Sequence, residues 1–450
     1  MRKSKKMLAF AMTLVLAFTI LAMPVSAATS AKYKAKHPIV LVHGLAGFGE
    51  YDDINKVVPY WGYTSGSIDK YIESYGNECY EASVGPISSA WDRACELYGQ
   101  LTGTIVDYGA YHSAVHKHDQ YGRDYTSAGY GKLMKSKWSA SNPVNLVAHS
   151  FGGATCRTLI QLLSEGNADE LSYAKKKGLQ VSPLFKGGKS KWVYSLTTLA
   201  APSNGSTVVD SMPNSVNFVG EMMGTASKAL GISSFKGVYD FQLEHFGIYS
   251  SEDDTLDSLY NRIIKSDFLN HYDNAFNDLS VDKAIDMNAD LEMQDNIYYF
   301  SFYGNRMKSN VLGGYSPTIR MWLPFKVSGR AMANYKGPTK GYYYDGYGTK
   351  RRKVSVKETS VNKANWHLSD GMVPVESGRY PFHYKNGIRV DDAHISAKVG
   401  VTAKKKGVWY VMPEVDGDHL TFCGGILNET RSSVQAFYRG VLENIVNCNG

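Results

Sequence analysis

The chain has 450 residues, with 49 Lys and Arg against 42 Asp and Glu and a formal net charge of +7. Four of those positive charges (Arg2, Lys3, Lys5 and Lys6) stand in the leading segment, so the remainder carries only +3 and offers no basis for a nucleic-acid partner. The five cysteines (Cys79, Cys95, Cys156, Cys423 and Cys448) contain no C-x-x-C pair, which argues against a thiolate metal site.

Residues 1–27 have the layout of a secretory signal. A basic start is followed by an apolar run from Met7 to Met23, then Pro24 and a small-residue cleavage site at Val25-Ser26-Ala27. A retained membrane anchor is the competing reading. The cleavage site, and the lack of any other long apolar stretch, favour a secreted, extracellular protein with no stable membrane insertion after cleavage. Residues 28–450, roughly 420, suffice for a single large α/β domain with insertions. Cys95 and Cys156 fall in helix-like segments and are expected in the core. A Cys423–Cys448 bridge is open to an exported protein, and the sequence does not decide it.

Four strands are predicted in chain order. They are "HPIVLVHG" with its apolar run Ile39 to Val42, "VNLVAH" ending at a serine, "WVYSLTTLAAP" from Trp192 to Pro202, and "IYYFSFYG" from Ile297 to Gly304. Each is rich in β-branched or aromatic residues and bounded by Gly or Pro, and helical patterns separate them. That alternation predicts a mostly parallel sheet with helices on both faces. Three stretches fit it poorly. One is an insertion at about 79–135, rich in Tyr, Gly and His; another is a region at about 204–245 with an isolated amphipathic pattern; the third is a Tyr, Lys and Gly rich excursion at about 329–365. The tail places Val434, Phe437, Val441 and Ile445 at helical spacing, predicting a terminal amphipathic helix.

The informative stretch is "PVNLVAHSFGGATCRTL", a strand that turns on Ser150 and continues as a helix. At such a turn the strand and helix backbones approach closely, so the residues two before and two after the serine must be small. Gly152 meets that need, and Ala148 adds one methyl to it. Ser150 is therefore expected to be an exposed nucleophile.

Together "PIVLVHGLAGFGE", "GPISSAWDRACELYGQLTGTIVDYGAYH", "AHSFGG" and "DGDHL" resemble the secreted thermoalkaliphilic lipases of Gram-positive bacteria. Those lipases also carry alanine at the first position of the serine pentapeptide. The resemblance covers nearly the whole mature chain, and it implies an α/β-hydrolase fold acting on carboxylic esters of lipids. A serine nucleophile needs a base and an acid, which follow it in the chain in this fold, acid before histidine. His149 and His43 are expected to be structural. Of the later histidines, His367, His383, His394 and His419, the family's base matches His419, in a polar turn before the terminal helix. Asp416 and Asp418 lie too close to His419 in the chain, and the resemblance places the acid at Asp370. Backbone N–H groups of Leu45 and Phe151 are the expected oxyanion donors. Related lipases have an aromatic after "HG" and a polar residue after the serine, so these two side chains are departures.

"YHSAVHKH" gathers His112, His116 and His118, which alone fits either a zinc site or a solvated loop. The resemblance implies a structural zinc held by Asp92, His112, His118 and Asp273, with His116 surplus. The family's calcium site uses a carboxylate two residues after the histidine. Thr421 stands there, which argues against calcium.

The expected function is thus a secreted triacylglycerol lipase working at an oil–water interface. The helical pattern of "VNFVGEMMGTASKALGI" is expected to form its lid, with Val216, Val219, Met222, Met223, Ala226 and Leu230 on one face. A carboxylesterase for short soluble esters is the nearest alternative, and a non-catalytic surface-binding protein on the same scaffold is a more distant one.

Overall fold

The computed structural model describes residues 31–212, 215–233, 235–311, 313–335, 342–345, 352–355, 363–426 and 428–448. The expected signal at 1–27 lies outside them. Among the described residues no helix is long and apolar enough to cross a membrane.

The elements that position the site run in the order β1 (Ile39–Val42), β2 (Cys79–Ala82), α1 (Ala90–Thr102), β3 (Val144–His149), α2 (Gly152–Glu165), β4 (Val193–Leu199), α3 (Ser215–Ala229) and α4 (Leu256–Lys265). Then come β5 (Tyr298–Phe302), α5 (Leu323–Ala333), β6 (His394–Ser396), β7 (Trp409–Val411) and α6 (Arg431–Asn447). The seven strands form one sheet in the order β6-β7-β5-β4-β3-β1-β2, and every pairing in it is parallel. Parallel strands joined through helices must bury both faces. Alternation along β1 shows how. Ile39 and Leu41 pack with Val441 and Ile445 of α6, whereas Val40 and Val42 pack with Leu97 of α1 and Leu159 of α2.

Local chemistry ends the helices where the sheet needs them to end. Ser89 accepts the Asp92 N–H at the start of α1, and Gly103 closes that helix at φ 71°. Thr430 and Ser433 form a capping box that starts α6.

All four predicted strands are present. The sheet also takes three more, β2, β6 and β7, of four, three and three residues. The expected insertion at about 79–135 needs correcting, because it begins inside the sheet. Cys79–Ala82 is the edge strand, and α1 packs on the sheet beneath it. The true excursion is the part beyond Gly103, where Ile105–Asp107 pairs antiparallel with Tyr121–Asp124 around a short helix at Ala110–His116. The stretch at about 329–365, expected to be irregular, contains the end of α5 and an antiparallel pair, Tyr342–Asp345 with Arg352–Ser355; much of the rest lies outside the described residues. Cys423 and Cys448 are buried free thiols, so the bridge left open by the sequence is not formed. Cys95 and Cys156 are core residues as expected.

The serine turn is tightly constrained. Ser150 has φ 55°, a left-handed backbone that a non-glycine residue adopts at a cost of order 1–3 kcal/mol. A Cβ placed on Gly152 would lie 2.4 Å from the Val42 carbonyl oxygen, so α2 can meet β1 only with glycine there. Gly152→Ala should therefore push α2 off the sheet, costing about 1–3 kcal/mol as overpacking does. A lower melting temperature and a lower turnover should appear together; an unchanged melting temperature would show that the turn has slack.

Candidate active site

Ser150, His419 and Asp370 come from three separate loops and meet above the carboxyl ends of the strands. Ser150 caps β3. His419 opens the turn that follows β7, and Asp370 sits in the loop before a short helix at Val375–Arg379. The His419 Nε2 lies 2.8 Å from Ser150 Oγ, and its Nδ1 lies 2.8 Å from Asp370 Oδ2. The other oxygen, Asp370 Oδ1, accepts the N–H groups of Met372 and Val373 at 2.8 and 2.7 Å. With Oδ1 committed to the backbone, the carboxylate cannot rotate, and Oδ2 stays aimed at the ring. The His419 N–H also donates to the Asp370 carbonyl at 3.0 Å.

His149 and His43, expected to be structural, are both buried. Burial holds the imidazole of each well below its usual range, which disfavours the charged form. The His149 Nδ1 pairs with the Tyr60 hydroxyl at 2.6 Å, and its Nε2 sits 2.9 Å from the His419 carbonyl oxygen. The Tyr60 hydroxyl also accepts the Gly44 N–H at 3.0 Å. Tyr60 thus ties the loop after β1 to the serine strand, a role that sequence reading missed because nothing in "VVPYWGY" marks one tyrosine among 32. A Cβ on Gly44 would lie 2.5 Å from the Ser150 Cβ, so Leu45 follows directly on the closest approach to the serine.

A cavity of about 120 Å³ opens over Ser150 and His419. Leu45 forms part of its wall. Val219, Met222 and Met223 of α3 close it from one side, and Phe325 of α5 from another. Of the expected face, Val219, Met222, Met223, Ala226 and Leu230 line the pocket and Val216 does not, while Asn217, Glu221, Thr225 and Lys228 are all exposed. Gly220 admits the Tyr260 ring of α4: a Cβ there would lie 2.3 Å from it.

The second cluster sits in the excursion. Asp92, in the first turn of α1, faces His112, His118 and Asp273, and one ligand atom from each lies within 4.8 Å of the others. The His112 Nε2 is 3.2 Å from Asp92 Oδ1 and 2.9 Å from Asp273 Oδ2. His116 stands further off, its Nδ1 4.0 Å from Asp273. The donors suit a cation. Asp92 Oδ1 and His118 Nε2 are buried and make no well-directed hydrogen bond, although His112 Nε2 and Asp273 Oδ2 stand 3.2 and 3.3 Å from them, and two buried carboxylates face each other. Burial would push the His112 imidazole down, but Asp273 and Asp92 outweigh it and raise it to about 10. His245 completes the surround, with its Nε2 3.1 Å from Asp92 Oδ2. It lies too far along the chain for any spacing argument to link it to the cluster.

The turn at Thr421 is filled differently from the carboxylate pattern. Its hydroxyl donates to Glu429 Oε1 at 3.0 Å, and the Arg306 guanidinium donates to the same oxygen at 2.7 Å. Glu429 is thus paired with a cation carried by the chain itself.

A doubly covered parallel sheet carrying a serine, a histidine and an aspartate in hydrogen-bonded line defines an α/β fold of the hydrolase type. Residues 35–340 match the family model described as the lipase-like C-terminal domain, and the chain belongs to that lipase family. A lipase of Staphylococcus epidermidis is 32% identical over 421 residues, covering 92% of this chain and 54% of that protein. The chain thus spans about half the length of the curated relatives it matches. Among solved structures it is similar to EstA from Clostridium botulinum, with TM-score 0.75, 30% identity and coverage of 91% and 87% of the two chains. Lipase 1 from Pelosinus fermentans gives TM-score 0.69, 32% identity and coverage of 92% and 99%.

Proposed function

We propose that the protein is a secreted triacylglycerol lipase that hydrolyses lipid esters through Ser150, His419 and Asp370. The observation that carries this reading is the unbroken line from Asp370 through His419 to Ser150, opening into an apolar cavity walled by α3. His419 Nε2 takes the Ser150 proton as Oγ attacks the ester carbonyl carbon, and Asp370 holds Nδ1–H toward itself. The tetrahedral oxyanion accepts the N–H groups of Phe151 and Leu45. His419 then protonates the departing alcohol, and a water that it deprotonates releases the fatty acid from Ser150.

Asp92, His112, His118 and Asp273 would hold zinc. These four protein ligands would complete a tetrahedral set, so the site would brace the excursion against α1 and leave ester chemistry to the triad. The helix α3 acts as a lid. Its apolar face covers the pocket in water, and its paired methionines adapt to a lipid surface when it lifts.

Ser150→Ala should leave a folded protein with hydrolysis near background and no labelling by a fluorophosphonate, whereas wild type labels. Residual turnover in a clean preparation would refute the nucleophile. Wild type should prefer emulsified long-chain triglyceride to a short soluble ester; the reverse preference would make it a carboxylesterase.

Purified protein should carry about one zinc per chain, and chelation should lower its melting temperature, since metal bound only to the folded form stabilises that form. His112→Ala should lose the metal and His116→Ala keep it. Equal metal in both variants would remove this ligand set.

Val219→Glu with Met222→Glu should lower activity on emulsion more than on the soluble ester. Amide exchange in α3 should be faster than in β3 and β4. Protection equal to that of the central strands would make α3 a permanent part of the core.

A further inference from the structure

We propose that Arg306 is a positioning residue that holds the loops of His419 and Asp370 in register, an inference that rests on the triad reading above. Arg306 lies just beyond β5, and its side chain has no solvent exposure. Its backbone N–H donates to the Ser369 carbonyl at 2.9 Å, immediately before Asp370. Its guanidinium reaches the opposite loop. The Nη1 donates to Asp418 Oδ2 at 3.4 Å, immediately before His419, and to the Arg320 carbonyl at 3.0 Å. The Nη2 donates to Glu429 Oε1 at 2.7 Å and to the Asp416 carbonyl at 3.3 Å. Asp418 Oδ2 is held in turn by the Trp322 N–H at 2.9 Å and the Asn428 amide at 2.7 Å.

One residue therefore bonds the chain next to the acid with its backbone and the chain next to the base with its side chain. The His419 N–H to Asp370 carbonyl bond closes the ring. A buried guanidinium is tolerated only when most of its donors are matched in direction as well as charge; here Nη1 and Nη2 are so matched, while Nε stands 3.5 Å from Asp416 Oδ1 without a hydrogen bond. Two of its four acceptors are backbone carbonyls, so the match fixes the course of the loops themselves. His419 sits between two 2.8 Å contacts, and a small shift of its loop would lengthen one of them. Such misplacement costs turnover far more than binding.

The test compares Arg306→Gly, Arg306→Lys and the milder Glu429→Gln with wild type, on a soluble short-chain ester, at a temperature where circular dichroism shows each folded. Folded Arg306→Gly should lose about 10- to 100-fold in kcat, as a displaced catalytic group does, with KM little changed. Its pH profile should move as His419 loses its fixed setting. Sub-denaturing guanidinium chloride, but not sodium chloride of equal ionic strength, should restore part of that kcat and leave wild type unaffected. Arg306→Lys should fall between Arg306→Gly and wild type, because an ammonium keeps the charge without the fork. If Arg306→Gly does not fold, the lysine and Glu429→Gln variants carry the test, each lowering kcat ahead of KM. Wild-type kcat and pH profile in every folded variant would overturn the proposal, whatever their melting temperatures. So would a loss in folded Arg306→Gly that guanidinium leaves unchanged. Ser150→Ala, run alongside, separates the two ideas: turnover by that variant removes the triad itself, whereas its silence beside an unaffected Arg306 series removes only the positioning role.

Discussion

The close approach of three backbones at the end of β3 governs everything built above the sheet. The loop after β1, the serine turn and the start of α2 meet where Gly44 and Gly152 leave no room for a Cβ. Ser150 takes a left-handed backbone as a result, and its N–H is held by the Leu199 carbonyl of β4 at 2.9 Å. The strain is tolerable because the sheet on either side over-determines the turn: β3 is buried along its whole length and paired on both edges. A serine lifted in this way stands clear of the sheet, within reach of residues that arrive more than two hundred positions later in the chain.

Those late arrivals explain which parts of the protein could be read from its sequence. The central strands were legible because each is a run of apolar or β-branched residues long enough to stand out, such as Ile39–Val42 and Val144–His149. The terminal helix was legible from the 3.6-residue period of Val434, Phe437, Val441 and Ile445. The edge strands were not. Cys79–Ala82 includes a glutamate, and His394–Ser396 has three residues of which one is apolar, so tertiary pairing rather than local pattern makes them strands. Local pattern also misjudged the region around Cys79, where abundant Tyr and Gly suggested an excursion although the sheet edge simply passes through it.

The sites divide in the same manner. Ser150 announces itself through its neighbours, because the turn constrains their size. Asp370 and His419 have no local signature of comparable strength and were assigned by resemblance; the structure brings both to the serine. Tyr60, His245 and Arg306 left no trace in the sequence, since their partners lie far away in the chain and their meaning is entirely spatial. Charge is handled alike in the two clusters. Buried carboxylates gather in each, around imidazoles at Asp92 and Asp273 and around a guanidinium at Asp418 and Glu429. Burying such groups is unfavourable unless the positive partner is fixed.

The five thiols have a consequence for how this molecule withstands its surroundings. All are buried and unpaired, and burial drives each away from the thiolate form, Cys448 as far as about 12. A protonated, enclosed sulfur is a poor nucleophile and a poor target for exchange. The native state has no disulfide to lose in a reductant, and burial shields its thiols from an oxidant. Its durability owes nothing to covalent cross-links.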